Sequence, residues 1–445
     1  MLKIHGVGGY DEVGKNMTAI ESNNDVLLCD AGLFIPALVG VSEREKIPTE
    51  HGMRAIGALP DDTYLDENKL RHKVRAILVS HAHLDHVGGV QYLAHRYNAG
   101  IYGTPYTIEV LKSLLPERGL PQHNKMHTIR PNGEATINGK SKYKVEFINM
   151  THSTLQCALI AVHTPEGVIL YANDYKLDST PVIGDKPNYK RLKELSKIGV
   201  KSLVVNCLYA HSEKKTPSEQ VARDMVGDTL INTEDSKSGL IVTTFASHIA
   251  RLKSIVDFGQ KLNRKIVFVG RSLAKYVSAG EAIKQVPFKK DIIMATYKKQ
   301  VERMLKQANE ERAKFLIVCT GHQGEKGSIL DRMSKDQLPF KIKSGDHIIF
   351  SSKTIPAPET IASRGELQDR LKKFNPQIFD NIHVSGHGSK ADLIELIELT
   401  NPEHVIPSHG DHSKTTAGMH AAVEMGYKKD YNVHLLSNGK HVTLT

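Results

Sequence analysis

Only four of the 445 residues are cysteine, Cys29, Cys157, Cys207 and Cys319. They lie far apart, no two form a C-x-x-C pair, and most sit in apolar strand-like runs. This argues against a disulfide framework or a cysteine-held metal and reads as reduced, buried thiols. Nowhere do about 18 apolar residues follow one another, so no membrane-spanning helix and no membrane partner are expected. The first residues, "MLKIHGVGGYDEVG", lack the basic segment and apolar core of a signal peptide, and a cytoplasmic location is expected. No stretch is of low complexity, and no repeat recurs at a solenoid or propeller period.

What is present suits a soluble α/β enzyme. With 40% hydrophobic and 24% charged residues, a chain of this length can bury a substantial core and divide into two domains. The formal net charge is +10 and the pI near 9.1. Such a surface attracts polyanions, nucleic acid first among them. A merely solvated basic surface would have the same composition, which does not choose between the two.

Short β-like runs such as "MTAIES" and "DVLLCDAG" alternate with glycine turns from Leu2 to Asp30, which suits hairpins. The connection from Leu33 to about Leu70 is too long for an idle turn and is expected to cover the site or form an interface, with a homodimer as one outcome. The runs "VRAILV", "YKVEFINM", "GVILYAND" and "SLVVNCLY" read as further strands. After them, Thr216 reads as a helix N-cap, with Pro217 at the first helical position and Glu219 completing a capping box. Strands such as "GLIVTTFA", "KIVFVG", "KFLIVCTG" and "HIIFSS" then alternate with helical stretches, the pattern of a mainly parallel sheet covered on both faces. The expected organisation is a first domain over 1–206, an inserted α/β domain over 207–365, and the first domain resumed over 366–445.

The chemistry concentrates in "VRAILVSHAHLDHVGG" (74–89). On an extended strand end, residues two apart share a face, so His81, His83 and Asp85 should converge while His86 faces elsewhere. Imidazoles and carboxylates without thiolates are ligands for zinc or manganese in an open site rather than a closed structural one. Asp30, His152, Asp174 and His409 each stand where an apolar run stops. Any one of them reads as an ordinary polar strand end, but the set contains enough donors for two metal ions.

The "HAHLDH" motif, with Asp30 before it and His152, Asp174 and His409 after it, resembles the metallo-β-lactamase fold signature. The interruption after Asp174 and the later "HVSGHGS" and "IPSHGDH" resemble the β-CASP nucleases. Within these, "TTFASHIAR", "CTGHQGE", "FSSKTIPAPE" and "HVSGHGSKADL" are similar to ribonuclease J, most of all to its archaeal members, which lack the additional C-terminal domain of bacterial ones. The resemblance covers nearly the whole chain. It implies a metallo-β-lactamase αββα sandwich carrying an inserted β-CASP domain of mainly parallel sheet.

It also implies a ligand set. His81, His83 and His152 would hold one divalent ion and Asp85, His86 and His409 the other, with Asp174 between them; zinc is expected, with manganese and magnesium as alternatives. Asp30 would lie behind the ligands and orient them. Asp85, His387 and Asp30 are the expected catalytic set, His387 acting near the scissile phosphate. Ser385, Gly386 and Ser389 of "HVSGHGS", with Lys353, would hold phosphate through Gly/Ser backbone and side-chain donors. Ser247, Arg251 and Arg271 are further candidate phosphate contacts; for the two arginines a salt-bridged surface is an equal reading. One position departs from the family: where β-CASP proteins carry an acidic residue after the strand that opens the insert, this chain has Asn206, an amide without charge.

Two divalent ions can provide a nucleophile at neutral pH and offset charge on the attacking and leaving oxygens of a phosphodiester. The resemblance to ribonuclease J then implies metal-dependent hydrolysis of single-stranded RNA, from a 5′-monophosphate end, releasing mononucleotides, with His387 stabilising charge or protonating the leaving 3′ oxygen. Three rivals stand beside it: a chiefly endonucleolytic enzyme, a small-molecule hydrolase on the same metal motif, and a catalytically silent RNA-binding subunit.

Overall fold

The computed structural model describes residues 1–39, 49–115, 123–233 and 237–444. Three sheets organise them. The first runs in the order β19-β1-β2-β3-β4-β5-β6, built from Leu2–Gly8 (β1), Met17–Ser22 (β2), Asp25–Cys29 (β3), Val74–Val79 (β4), Gly100–Gly103 (β5), Met126–Thr128 (β6) and, from the far end of the chain, Lys440–Leu444 (β19). The second has the order β18-β11-β10-β9-β8-β7: Gly133–Asn138 (β7), Lys142–Asn149 (β8), Ala158–Thr164 (β9), Gly167–Ala172 (β10), Val200–Asn206 (β11) and His404–Ser408 (β18). Each mixes hairpins with parallel pairs, β3 to β6 in the first and β10-β11-β18 in the second.

Alternation along the strands makes these sheets face each other. Leu2, Ile4, Leu27 and Leu78 of the first interleave with Val145, Phe147, Ile160 and Val204 of the second in one apolar layer. The opposite faces carry helices: Val90, Leu93, Ile108 and Leu111 cover the first sheet, and Leu192, Leu195, Leu393 and Leu396 cover the second. Each such side chain, fully buried, contributes about 1.5–3 kcal/mol. The result is the αββα sandwich. Met53, Leu59, Leu65 and Leu70, from the connection expected to form an interface, are spent in the core of this same chain; residues 40–48 of that connection lie outside the described residues.

The third sheet is parallel throughout, in the order β14-β13-β15-β12-β16-β17, from Leu240–Thr243 (β12), Lys265–Val269 (β13), Ile292–Ala295 (β14), Phe315–Cys319 (β15), His347–Phe350 (β16) and Gln377–Phe379 (β17). Successive residues face opposite sides, Ile241, Val267 and Ile317 one way and Val242, Phe268 and Val318 the other, so both faces are apolar and both carry helices. This unit runs past the expected boundary at 365: the helix Pro358–Lys372 and β17 belong to it, and the chain leaves it only after Phe379. Tyr106, Val110 and Leu155 of the sandwich pack into its apolar cluster beside Val277 and Phe288.

The helix opening the insert differs locally from expectation. It spans Glu219–Asn232 with Ser218 as N-cap, accepting from the Gln220 N–H at 3.1 Å. Thr216 instead donates its hydroxyl to the His387 carbonyl at 2.9 Å, and Glu219 is drawn inward by an arginine. Thr216 and Pro217 lie outside the helix because the chain is turning there to clasp the loop at 383–389.

Candidate metal centre

The polar strand ends meet at one edge of the sandwich. β4 ends at Val79 and delivers His81 and His83; Leu84–Val87 then forms one helical turn. That turn corrects the extended-strand picture: it swings Asp85 away from His81 and His83 and brings His86 into the cluster. The ligand atoms of His81, His83, His152 and Asp174 all lie within 4.8 Å of one another, as do those of Asp85, His86 and His409, and those of Asp174, His387 and His409.

Two residues reach the cluster from left-handed backbone. Asp30 follows β3 at φ 61° and His409 follows β18 at φ 57°, a conformation that non-glycine residues adopt at a cost of about 1–3 kcal/mol. Buried hydrogen bonds hold both, Asp30 N–H to the Leu78 carbonyl at 2.8 Å and His409 N–H to the Gly9 carbonyl at 2.7 Å.

Asp30 is fully buried and organises what stands in front of it. It accepts from the Ser80 N–H at 2.7 Å, the Ser80 hydroxyl at 2.8 Å and the Tyr171 hydroxyl at 2.9 Å. His86 Nδ1 lies 2.7 Å from its carboxylate, and His81 Nδ1 lies 3.0 Å from Ser80 Oγ. His152 Nδ1 lies 2.5 Å from the Gly386 carbonyl. Each ring therefore has its Nδ1 proton engaged and its Nε2 lone pair turned into the cluster, the tautomer a metal ligand needs.

The unpartnered atoms test whether a metal fits. Asp174 Oδ2 is buried and accepts no hydrogen bond, although His152 Nε2 stands 3.1 Å away and His81 Nε2 and His86 Nε2 each 3.4 Å. His409 Nδ1 is likewise buried without a hydrogen-bond partner, 3.5 Å from Asp174 Oδ1. Acceptor atoms converging on a common point are left unsatisfied when buried unless a cation, a metal ion or a proton, occupies that point. The donor set of imidazoles and carboxylates suits zinc or another first-row divalent ion.

The electrostatics agree. Burial, with His86 beside it, pushes His81 down to about 4. Burial pushes His409 down to about 4 as well, and it lowers His83 and His152. These rings are neutral near pH 7. Asp85 and Asp174 resist burial because the surrounding histidines hold both carboxyls below their ordinary range. His86 moves the other way: despite burial, Asp174, Asp85 and Asp30 raise it well above its ordinary value. Without an ion a proton on His86 balances the carboxylates, and ion binding releases it.

His387 stands beside this cluster with its Nδ1 3.5 Å from Asp174 Oδ1. Asn206 joins the two: its Nδ2 donates to Asp174 Oδ1 at 2.6 Å and lies 3.1 Å from His387 Nδ1, while its Oδ1 accepts from the Leu208 N–H at 2.9 Å. The amide thus serves as a donor to a carboxylate, which an acidic side chain in the same place could not do without a proton of its own.

The expected phosphate contacts divide. Lys353 is exposed, with its ammonium 5.4 Å from the Tyr209 ring centre, and the Tyr209 ring centre is 6.1 Å from that of His387. Ser385 Oγ accepts from the His387 N–H at 3.0 Å within the loop, and Gly386 packs so tightly that a Cβ would come within 2.5 Å of Ser153 Oγ. Ser247 is buried at the start of the helix Ile249–Lys261. Arg271 lies at the end of β13, on another part of the third sheet. Ser389 and Arg251 are corrections. The buried Ser389 hydroxyl caps the helix Lys390–Thr400 in a reciprocal box with Asp392. Arg251 has no exposed surface; it holds Glu219 through two bonds of 2.7 and 3.0 Å and Ser351 through others.

Sequence reasoning missed Ser80, Tyr171, Asn16 and Thr216. Asn16 Nδ2 donates to the Asp85 carbonyl at 3.0 Å and lies 3.2 Å from His86 Nε2. "VSH" and "LYAND" would have offered Ser80 and Tyr171 by adjacency to ligands, whereas nothing local distinguishes Asn16, and the local pattern at Thr216 pointed to a helix cap instead.

A cavity opens from this centre between the sandwich and the inserted unit. His152, Ser153, Thr154, Lys176, His248 and Gly386 are among its walls. Thr154 Oγ1 and His248 Nδ1 are buried there without partners.

The sandwich, the inserted parallel domain and the clustered ligands define a metallo-hydrolase of the metallo-β-lactamase superfamily with a β-CASP insertion. The metallo-beta-lactamase superfamily model matches residues 10–180, the model for the ribonuclease J beta-CASP domain residues 237–364, and that for the Zn-dependent metallo-hydrolase RNA specificity domain residues 362–435. The chain is 39% identical to ribonuclease J of Methanocaldococcus jannaschii over 99% of its length and 98% of the relative's. It is equally identical to that of Pyrococcus abyssi over 100% and 97%. It is 32% identical to the Synechocystis ribonuclease J, spanning 66% of that longer protein. It belongs to the ribonuclease J family. Among solved structures, a protein of unknown function from Enterococcus faecalis shares the fold at TM-score 0.62 and 15% identity, covering 99% of each chain.

Proposed function

We propose that the protein is a ribonuclease using two divalent ions, most simply zinc, to hydrolyse single-stranded RNA from a 5′-monophosphate end and release mononucleotides in RNA decay or processing. The observation that carries this reading is the cavity beside the ligand cluster: it begins at His152 and Gly386, contains the unpartnered Thr154 hydroxyl and His248 nitrogen, and has the buried Lys176 in its wall. The Thr154 hydroxyl and the Lys176 ammonium are donors that suit a terminal phosphate one nucleotide beyond the scissile bond. Four unpaired buried thiols suit a reducing, cytoplasmic setting.

When bound, the ions supply a nucleophile at neutral pH and charge stabilisation at the scissile phosphate. The chain does the rest. Asp30 and Ser80 keep His86 and His81 in register, Gly386 fixes His152, and Thr216 holds the loop that presents His387. With its Nδ1 facing the Asn206 donor, His387 has Nε2 left for a proton that it delivers to the leaving 3′ oxygen.

The test is product analysis of one RNA, labelled at its 3′ end and carrying a 5′ monophosphate, hydroxyl or triphosphate. Mononucleotides from the monophosphate RNA without intermediate fragments are expected. With His387→Ala the rate should fall by about 10²–10⁴ while metal content is kept. Internal fragments independent of the 5′ end would replace this reading with an endonuclease, and no cleavage with zinc, manganese or magnesium would remove the hydrolytic reading.

Asn206→Asp gives a second expectation. A carboxylate placed 2.6 Å from Asp174 Oδ1 repels it and withdraws the donor facing His387, yet adds negative charge beside the ions. Turnover should fall at least about tenfold, the loss of roughly one such hydrogen bond to a charged group, with metal affinity undiminished. Titration of zinc into the stripped protein beside single-turnover rates separates the two effects; unchanged turnover would show that the amide is incidental.

A further inference from the structure

The third sheet has two crevices along the edge where its parallel strands end. β12 leaves through the helix Ile249–Lys261 toward β13, whereas β16 leaves through Pro358–Lys372 toward β17. Connections from adjacent strands thus depart in opposite directions, and a crevice opens between them, the position where open parallel sheets bind ligands. This first crevice, at Thr244 and Ser351, lies next to the loop carrying His387. The same reversal occurs again between β13, which leaves through Arg271–Ala282 toward β14, and β15, which leaves through Ile329–Ser334 toward β16.

The second crevice holds a cavity of about 340 Å³ with Gly270, Arg271, Thr296, Tyr297, Lys298, Thr320, Ser328 and Arg332 among its walls. Its chemistry is that of a phosphate site with a stacking platform. Three cations, Arg271, Lys298 and Arg332, outnumber the single carboxylate, Glu302, which is 3.9 Å from Lys298. Gly270, at φ 119°, places no side chain over the first turn of the twelve-residue helix that follows; that turn has no side-chain cap, and its first residues line the cavity. Tyr297 is 70% exposed, one of the most exposed large aromatic side chains among the described residues, and it stands at the cavity's rim. A tyrosine left open beside clustered cations matches the stacking and charge that single-stranded nucleic acid requires.

We propose that the crevice between β13 and β15 binds a nucleoside monophosphate unit, with the phosphate on Arg332, Lys298 and the uncapped helix turn and the base on Tyr297. Two strand spacings, roughly 10 Å, separate it from the first crevice along the same edge. An RNA strand whose 5′ end lies at the metal centre would therefore reach it within a few nucleotides. In this form the inference rests on the proposed RNA substrate; a free nucleotide, such as the product, has the same chemistry.

The test uses the full chain stripped of metal with EDTA, so that no cleavage is needed. Fluorescence anisotropy with 3′-labelled oligoadenylates of two to ten nucleotides should show affinity rising sharply once the strand spans both crevices. Tyr297→Ala with Arg332→Ala should remove that rise, about tenfold, one stacked base's worth, and leave dinucleotide binding unchanged. Calorimetry with AMP is the second arm. If the variant loses an AMP-binding event that the native chain shows, while the length dependence stays intact, the ligand is a free nucleotide. If wild type binds no RNA, the substrate reading falls and the AMP arm alone decides the crevice. Identical length dependence and identical AMP binding in both proteins overturn the proposal, and a circular dichroism melt of the variant guards against misfolding.

Discussion

Asp174→Ala is expected to strip the protein of metal and lower RNA hydrolysis by at least about 10³-fold, the several kcal/mol of charge stabilisation that a bound ion supplies. The geometry explains the size of the effect. Asp174 Oδ2 faces His81, His86 and His152 within 3.4 Å, and its Oδ1 faces His387 and His409, each at 3.5 Å. It belongs both to the group with His81, His83 and His152 and to the group with His387 and His409. Removing it leaves five buried imidazoles around an empty centre, where any cation, metal or proton, loses its nearest compensating charge. Asp174→Asn separates charge from shape, since the amide keeps the volume and loses the anion; it should resemble the alanine variant in metal content. Metal analysis after dialysis, beside single-turnover rates at saturating zinc or manganese, checks both. Native turnover in Asp174→Ala would show that the cluster is not the reaction centre.

The parts of this site that were legible in the sequence are those set by strand ends. Asp30, His81, His152, Asp174 and His409 each close an apolar run, and a sheet edge gathers such residues whatever the loops do. The alternation of apolar strands with helices after residue 239 likewise follows from burial on both faces. What could not be read depended on where a loop turns. The helical turn at Leu84 parts Asp85 from His81, and no period in "HAHLDH" announces it. Ser389 and Thr216 are both hydroxyls in turn-like sequence; one caps a helix and the other clasps His387, and only the tertiary path of the 383–389 loop decides which. The third sheet continues beyond residue 365 through β17, which at three residues is too short a run to register as a strand.

Arg251 separates the two kinds of reading most sharply. Its position at the start of a helix in a basic chain suggests a phosphate contact, whereas its surroundings make it a brace. The guanidinium is buried and donates to both Glu219 oxygens, to the Ser351 hydroxyl at 2.9 Å and to the Ile382 carbonyl at 3.1 Å. These partners come from the first helix of the insert, the end of β16 and the irregular segment returning toward His387. One side chain therefore ties the inserted unit to the loop that presents His387. Arg251→Met should cost about 3–5 kcal/mol, because it abandons a buried carboxylate and several carbonyls rather than because the pair itself is strong. The expected sign is a melting temperature lowered by several degrees. Adding Glu219→Leu to Arg251→Met removes the orphaned charge and should recover much of the loss, whereas Lys353→Ala, on an exposed side chain, should leave melting unchanged and weaken only RNA binding. If Arg251→Met melts as the native chain does and loses RNA affinity with a smaller salt dependence, the guanidinium reaches phosphate after all and the brace is wrong; if it melts early and the double variant recovers, its contribution to activity runs through the placement of His387.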